Sequence, residues 1–269
     1  MKVAALQMTS GLDVAANLES ARELLAKAQA CGATLAVLPE NFAFMGLADA
    51  DKRKIAEREG SGPIQAFLAA TARRLGIWIV GGTVPLVRPD EERVAAASLV
   101  FDDSGRLVAR YDKIHLFDVD IPGGRQERYL ESANIAPGRE PVVVDTPVGR
   151  LGLTVCYDVR FPELFRSLSA AGAQLFSVPS AFTRPTGRAH WETLLRARAI
   201  ENLCYVIAPA QSGIHASGRE TYGDSLIADH WGRVLGRKPR GRGIVVAEID
   251  LERQADARAS FPALRHRLM

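Results

Sequence analysis

The chain has 269 residues, of which 47% are hydrophobic and 24% are charged, with a formal net charge of +3. This composition is typical of a globular protein of one large or two small domains, and its scattered arginines argue against nucleic acid as the main partner. No apolar run approaches the roughly 18 residues of a membrane span, so we expect no membrane association.

The three cysteines, Cys31, Cys156 and Cys204, are widely spaced and odd in number. Such usage is typical of free thiols in a reducing compartment rather than of a disulfide framework. The first eight residues are apolar only briefly, which favours a first strand over a signal peptide. We therefore expect a cytoplasmic protein.

Apolar periodicity in the first third of the chain predicts alternating strands and helices. Gly32 and Gly76 each end a predicted helix. The expected elements are strands at 3–8, 35–38 and 77–80 and helices at 14–31 and 63–75. This alternation predicts a layered α/β sheet with buried strands.

The middle of the chain changes its pattern. Two runs at 94–102 and 106–111, separated by Asp103-Ser-Gly105, predict a hairpin, so the sheet should be mixed. Residues from about 114 to 140 contain Pro122-Gly-Gly124 and Pro137-Gly138 and predict a long loop, a type that is usually functional or disordered.

The second half again alternates strands and helices, with no linker-like composition and no repeat. The expected strands lie at 141–145, 151–155, 174–178 and 204–208, followed by a meander at 222–228, 233–235 and 243–248. Helices are expected from about 161, over 190–202 and over 250–257, with a tail at 261–269. These elements predict two stacked sheets within one domain.

Cys156 stands where the predicted strand 151–155 should end. Asp158 is placed to cap a following helix whose first turn carries Pro162 and Glu163. A cysteine on a strand-to-helix turn is held rigidly, and nearby helix N–H groups favour a thiolate. Because free cysteine is also among the most buried residue types, position alone leaves a reactive thiol and an inert core thiol both open.

Glu40 and Lys113 share the topological position of Cys156, just beyond the end of a predicted strand. Ligand sites of layered α/β proteins form outside the carboxyl ends of strands. Glu40 can take the thiol proton and later activate water, and Lys113 can favour the thiolate and hold an oxyanion. The backbone N–H of Tyr157 is the expected second oxyanion donor.

Other catalytic patterns have less support. The sequence cannot pair a particular histidine with Cys156, as a Cys–His hydrolase requires, since the five histidines are scattered: His115, His190, His215, His230 and His266. Gly223-Asp-Ser225 lacks the closing glycine of a G-x-S-x-G elbow. Without a phosphate-binding loop, C-x-x-C or H-E-x-x-H motif, we expect neither cofactor nor metal.

The segments around Glu40, Lys113 and Cys156 resemble the motifs of the nitrilase superfamily of carbon–nitrogen hydrolases. The resemblance covers essentially the whole chain and is carried by a first strand, a glutamate motif, a lysine motif and a cysteine motif: Val3–Met8, Leu38-Pro-Glu-Asn-Phe42, Tyr111–Asp118 and Val155–Leu164. It implies an α/β fold with a four-layer αββα sandwich of two mixed sheets in a single domain, 1–269.

The resemblance carries the family's Glu–Lys–Cys triad over to Glu40, Lys113 and Cys156. A second family glutamate, which positions the lysine and the substrate, matches Glu131, with Glu127 as the alternative. The resemblance also implies a homodimer or larger homo-oligomer, with the tail at 261–269 at the oligomer contacts.

Later segments, including Pro179–Phe182 and Thr186–Glu192, resemble the Nit branch of the family, although Asp224 and His230 replace the His and Pro expected there. The likeness implies a cysteine-dependent amidase that hydrolyses a small keto-acid amide through a thioester. Deaminated glutathione is the first expected substrate, and α-ketoglutaramate or an N-carbamoyl compound are alternatives. A catalytically silent interaction scaffold is the alternative outside enzymes.

Substrate contacts are expected from the loops around Phe182 and Thr186, with Arg160 as a further candidate. Arg160 also has a simple structural role as the ion-pair partner of a nearby acid. Both roles stay open on the sequence.

Overall fold

The computed structural model describes residues 1–89, 91–121 and 127–268, and only the backbone of Ile121 and Glu127. The part of the predicted loop that contains Pro122-Gly-Gly124 and the last residue of the tail lie outside these residues. The α-helices are α1 (Val14–Ala30), α2 (Pro63–Leu75), α3 (Pro162–Ala170), α4 (Arg184–Asn202) and α5 (Leu251–Ser260). In the part of the chain described, no helix is long and apolar enough to cross a bilayer.

The strands fall into an earlier and a later group along the chain. The earlier strands are β1 (Lys2–Gln7), β2 (Ala33–Val37), β3 (Trp78–Val80), β4 (Val84–Arg88), β5 (Glu91–Phe101), β6 (Leu107–Asp112), β7 (Asp118–Ile121) and β8 (Glu127–Leu130). The later strands are β9 (Val142–Thr146), β10 (Gly149–Leu153), β11 (Leu175–Ser177), β12 (Tyr205–Ala208), β13 (Ser212–Ile214), β14 (Glu220–Tyr222), β15 (Ser225–Ala228), β16 (Val234–Lys238) and β17 (Gly243–Glu248).

Two mixed sheets form the centre of the molecule. The first has the order β17-β1-β2-β3-β5-β4, with β6 also paired with β5, and the second has the order β16-β15-β12-β11-β10-β9. In each sheet the three middle strands are parallel, β1-β2-β3 in one and β10-β11-β12 in the other. Two small hairpins, β7-β8 and β13-β14, stand outside the sheets.

The alternation of side chains along β1 shows how the layers stack. Val3 and Ala5 pack in a core that also holds Leu151 of the second sheet, whereas Ala4 and Leu6 pack with residues of α1 and α2. Helices α3 and α4 contact β10 and β12 from the other side. Because successive strand residues point to opposite faces, each sheet buries both faces, and the expected four-layer αββα sandwich is confirmed.

The structure differs from the sequence-based prediction in several elements. Strands β4 and β13 were not predicted, and the loop expected at 114–140 contains the hairpin β7-β8. Helix α4 begins at Arg184, six residues before the predicted start, and includes Gly187. Glycine disfavours a helix, but a Cβ at this position would lie 2.3 Å from the Cβ of Tyr222, so close packing requires it.

Gly82, between β3 and β4, packs closely against Pro39, the residue before Glu40. It has a φ of +49°, and a Cβ there would lie 2.0 Å from the carbonyl oxygen of Pro39. Gly76 offers a comparison, because it also has a positive φ, +62°, but no atom lies within 4 Å of a Cβ there. The two glycines therefore separate the effect of backbone conformation from that of close approach.

We expect Gly82→Ala to lower the free energy of unfolding by about 3 kcal/mol, since it adds a steric clash to a strained conformation. Gly76→Ala should cost about 1 kcal/mol, because only the conformational term applies. Urea denaturation measures both losses. Equal losses in the two variants would contradict a close contact between Gly82 and Pro39.

Candidate active site

Glu40, Lys113, Cys156 and Glu131 line one cavity with an empty volume of about 450 Å³. Strands β2 and β6 run in the same direction, since both are related to β5 through antiparallel pairing, so the segments after them leave the first sheet at one edge. Cys156 follows β10 of the second sheet. The sequence-based prediction that these positions share one site agrees with the geometry.

The Lys113 ammonium lies between two carboxylates. Its Nζ donates to Glu40 Oε1 at 2.9 Å and to both oxygens of Glu131, at 2.9 and 2.8 Å. Only 1% of the Lys113 side chain is exposed. Buried ions are tolerated when they are paired and hydrogen-bonded, as here.

Backbone hydrogen bonds hold the segments that carry Glu40 and Lys113. The Glu40 carbonyl accepts from Gln211 Nε2 at 3.0 Å, and the next residue, Asn41, has a φ of +57° and donates its N–H to Thr83 Oγ1 at 2.8 Å. Lys113 donates its N–H to the Ala96 carbonyl at 3.0 Å. The backbone at Glu40 and at Lys113 therefore cannot move without breaking hydrogen bonds to neighbouring segments.

Cys156 begins a 3₁₀ turn, Cys156–Arg160, and has a φ of +50°. A non-glycine residue in the left-handed region is uncommon and is typical of active-site turns. Its N–H donates to the Pro179 carbonyl at 2.9 Å, and the residue is 7% exposed. The surroundings thus impose an unusual backbone conformation on the cysteine.

Asp158 does not cap α3, so the predicted cap is wrong. The N-cap of α3 is Phe161, whose side chain makes no capping hydrogen bond. The fully buried Asp158 carboxylate instead accepts from the Val155 N–H at 2.8 Å, the Tyr111 hydroxyl at 2.7 Å and the His115 N–H at 3.1 Å. These bonds join the Cys156 turn to the segment that carries Lys113.

Burial and charge set the protonation of the three groups. Burial alone would lower the pKa of Lys113, but the charges of Glu131 and Glu40 outweigh it and raise that pKa well above its ordinary value. Burial would raise the pKa of Glu40, but the Lys113 charge and hydrogen bonds from Cys156 and Lys113 lower it. Lys113 is thus an ammonium and Glu40 a carboxylate.

The thiol of Cys156 is protonated at neutral pH. Burial and the Glu40 charge raise its pKa, and the opposing effects of Lys113 and of the Ala181 N–H are smaller. The expectation that nearby helix N–H groups favour a thiolate is therefore not met. A protonated thiol next to a carboxylate needs that carboxylate as a base before it can attack.

The structure separates the three residues proposed for substrate contacts. Phe182 and Thr186 line the cavity, as does Tyr157. Arg160 is not among the lining residues: its guanidinium lies over the rings of Tyr157 and Phe182, 5.6 and 5.4 Å from their centroids. Arg160 Nη1 lies 3.3 Å from Nδ1 of His190. Across the residues the structure describes, Arg160 has no carboxylate within 4 Å, so neither role expected from the sequence has a contact to support it.

Several lining residues were not identified from the sequence. They are Asn41, Asp49, Lys52, Phe117, Tyr129, Ala181, Thr183 and Arg219. Lys52 donates to Asp49 at 3.2 Å, and both lie in the segment after the glutamate motif. Arg219 follows the tip of the hairpin β13-β14, where no sequence pattern indicated a site.

No histidine lines this cavity, and all five lie within the residues described. His115 contacts Asp158, and His215 lies between the Ser10 carbonyl and Thr221 Oγ1. A Cys–His pair is therefore not formed. The side chain of Glu127 lies outside what is described, whereas Glu131 contacts Lys113 directly.

Replacing Glu40 with Gln removes the negative charge that helps to raise the pKa of Cys156. We therefore expect E40Q to lower the Cys156 pKa. Burial still raises this pKa in the variant and Lys113 still lowers it, but the carboxylate no longer adds to the effect of burial. The ultraviolet absorbance of the thiolate across a pH titration, corrected with C156S, measures this shift. E163Q, which changes an exposed acid of α3, is the matched control, and an unchanged thiol pKa in E40Q would contradict the assignment.

Comparison with known proteins agrees with this site. The carbon–nitrogen hydrolase family model matches residues 2–259. The deaminated glutathione amidase of Yersinia enterocolitica is 44% identical over 265 residues, covering 98% of this chain and 92% of the relative. The crystal structure of Caenorhabditis elegans NitFhit has a TM-score of 0.92 at 41% identity, covering 99% of this chain and 65% of that chain.

A second solved structure places the fold in the same superfamily. Saccharomyces cerevisiae Nit3, described as a member of branch 10 of the nitrilase superfamily, has a TM-score of 0.89 at 31% identity and covers 100% of this chain and 97% of its own. The resemblance stated from the motifs is confirmed. With the family model matching nearly the whole chain, this protein belongs to the carbon–nitrogen hydrolase family of the nitrilase superfamily.

Proposed function

We propose that the cavity hydrolyses a small keto-acid amide, with Cys156 as the nucleophile. The observation that carries this proposal is the Lys113 ammonium held between Glu40 and Glu131 in the cavity that Cys156 lines. This arrangement supplies a base for the thiol and a fixed positive charge for a developing oxyanion. It needs no cofactor.

In the first half-reaction the Cys156 thiol gives its proton to Glu40, and the sulfur attacks the amide carbonyl carbon. The oxyanion accepts hydrogen bonds from Lys113 and from the Tyr157 N–H. The C–N bond then breaks, Glu40 returns the proton to the departing nitrogen, and an acyl thioester on Cys156 is left. Removing one oxyanion donor costs about 10²–10³ in rate in comparable sites.

In the second half-reaction Glu40 takes a proton from water, and the resulting hydroxide attacks the thioester carbonyl. The C–S bond breaks, the carboxylic acid leaves, and the proton on Glu40 returns to the sulfur. Glu131 takes no proton in this scheme. Its two hydrogen bonds keep Lys113 charged and oriented while Glu40 changes its protonation.

The substrate that the relatives favour is deaminated glutathione. Curated relatives with this amidase name are 40–44% identical to the chain over nearly its full length. Hydrolysis of this substrate yields α-ketoglutarate and cysteinylglycine. The cationic side chains Lys52 and Arg219 beside the nucleophile suit a substrate that carries carboxylates.

We expect Cys156→Ala to lower the turnover of deaminated glutathione by about 10⁴-fold or more, because the nucleophile is lost. Mass spectrometry of released cysteinylglycine measures the rate. C204A is the matched control, since Cys204 is also buried but lies between α4 and β12, away from the cavity. Unchanged turnover in C156A would remove Cys156 from the mechanism.

Turnover assays with other substrates separate the alternative functions. Faster release of ammonia from α-ketoglutaramate would make the enzyme an ω-amidase, and release of carbon dioxide would indicate an N-carbamoyl substrate. If wild-type protein turns over none of these compounds, the catalytically silent scaffold becomes the better hypothesis.

We also propose a single domain over 1–269 and a homodimer or larger homo-oligomer, with the tail at 261–269 at the contact. One domain is favoured because β1 pairs with β17. Trp231 and Phe261 are 59% and 53% exposed, and their ring centroids lie 5.6 Å apart, so they form one exposed apolar patch. Such patches often mark protein contacts.

We propose the cytoplasm as the compartment of the protein, because its three cysteines are free thiols and thiols stay reduced there.

Phe261→Ser should shift the oligomer toward monomer, because it removes apolar area from the patch. Sedimentation velocity at several protein concentrations measures the shift. Ile214→Ser is the control, since Ile214 is 70% exposed on the separate hairpin β13-β14. A sedimentation coefficient that F261S leaves unchanged would exclude this face as the contact.

A further inference from the structure

Arg219 is fixed at the cavity by neutral groups. Its Nη2 donates to the Ala181 carbonyl at 2.7 Å, and its guanidinium carbon lies 5.0 Å from the centroid of the Tyr129 ring. The carbonyl contact and the aromatic face hold the planar guanidinium without neutralising it. These two contacts therefore position Arg219 but do not neutralise its positive charge.

The charges around the cavity are otherwise paired. Lys113 contacts Glu40 and Glu131, and Lys52 contacts Asp49 at 3.2 Å. Among the described residues, no carboxylate lies within 4 Å of the Arg219 guanidinium, although the charge of Arg219, after that of Lys52, helps to lower the pKa of Asp49. Arg219 thus differs from the other two cations that line the cavity.

One polar atom of Arg219 is buried without a partner. Its Nε has no hydrogen-bond partner among the described residues, although it is shielded from solvent. A buried charged donor without an acceptor is costly, and a ligand that supplies an anionic oxygen removes that cost. The Arg219 guanidinium, which lines the cavity, therefore has hydrogen-bonding capacity that the described residues do not satisfy.

Arg219 and the thiol lie on two sides of the same residue. The Ala181 N–H faces the Cys156 sulfur, and the Ala181 carbonyl accepts from Arg219. The length of one residue plus two hydrogen bonds places the sulfur and the guanidinium within about 10 Å of each other. An amide whose carboxylate is separated from the scissile carbonyl by a short chain spans this distance.

We propose that Arg219 binds a carboxylate of the amide substrate and so gives the enzyme its preference for acidic amides. This inference rests on the proposed function, because it assumes that the amide reacts at Cys156. The guanidinium offers N–H groups that Ala181 does not use to the carboxylate oxygens, which gives charge-assisted hydrogen bonds. Lys52 is a weaker candidate for this role, since it already forms an ion pair with Asp49.

The carboxylate can belong to the acyl part or to the leaving group, and binding of the two products distinguishes them. The probes are α-ketoglutarate and cysteinylglycine, measured by calorimetry with C156A and with C156A/R219Q, so that turnover is not needed. We expect R219Q to weaken binding of α-ketoglutarate by about 10- to 100-fold, the usual effect of losing hydrogen bonds to a charged group. An effect confined to cysteinylglycine would place the leaving-group carboxylate at Arg219.

R184Q is the matched control. Arg184 pairs with Glu220, the neighbour of Arg219, and removing its exposed charge changes the same region outside the cavity. The proposal is overturned if C156A binds neither product, if R219Q leaves both affinities unchanged, or if R184Q weakens binding as much as R219Q. Arg219→Lys, which keeps the charge but loses the planar geometry, should bind α-ketoglutarate with intermediate affinity, and it preserves the test if R219Q folds poorly.

A kinetic ratio separates this proposal from the proposed function. In otherwise wild-type enzyme, R219Q should lower kcat/KM for α-ketoglutaramate at least tenfold more than for butyramide, a neutral amide, mainly through KM. Equal losses for both amides, together with unchanged affinities for both products, would mean that Arg219 acts on the fold only, while the proposed function would stand. Wild-type turnover that survives Cys156→Ala would overturn the proposed function, and the product-binding result would still decide the role of Arg219.

Discussion

The ammonium of Lys113, buried between two carboxylates, is the constraint on which the rest of the site depends. One positive charge faces Glu40 and Glu131, so the cluster carries an excess negative charge while both acids are ionised. Burial and the charge of Glu40 together raise the pKa of the nearby Cys156 thiol and keep it protonated. In the proposed mechanism the proton moves to Glu40, which leaves Lys113 neutralised by Glu131 alone. Two acids therefore allow one of them to change protonation without leaving a buried ammonium unpaired.

The buried carboxylate of Asp158 links segments of the two sheets beside this arrangement. Its carboxylate joins Val155, beside the cysteine, to Tyr111 and His115, which stand two residues before and after Lys113. Burial and the Asp158 charge raise the pKa of Tyr111, so its hydroxyl stays a hydrogen-bond donor at any physiological pH. The lysine and cysteine segments are thus held by one buried acid that lies outside the cavity.

The sequence predicted the parts of the site that depend on local patterns. Apolar runs located the ends of the strands before Glu40, Lys113 and Cys156, and the motifs around them indicated the family. The protonation of Cys156 could not be predicted, because it depends on burial and on charges that lie far apart along the chain. Arg219 gave no signal, since β13 and β14 have three residues each, too few for a periodic pattern. Asp158 was misassigned because its partners Tyr111 and His115 are more than 40 residues away.

The position of Arg219 separates two properties of the enzyme. Glu40, Lys113 and Cys156 follow strands of the two large sheets, whereas Arg219 belongs to the small hairpin β13-β14, which forms a sheet of its own. A substitution at Arg219 therefore leaves the strands before Glu40, Lys113 and Cys156 unchanged. In an evolving lineage, a new acyl preference would arise by exchange of a few hairpin residues on an unaltered reaction centre.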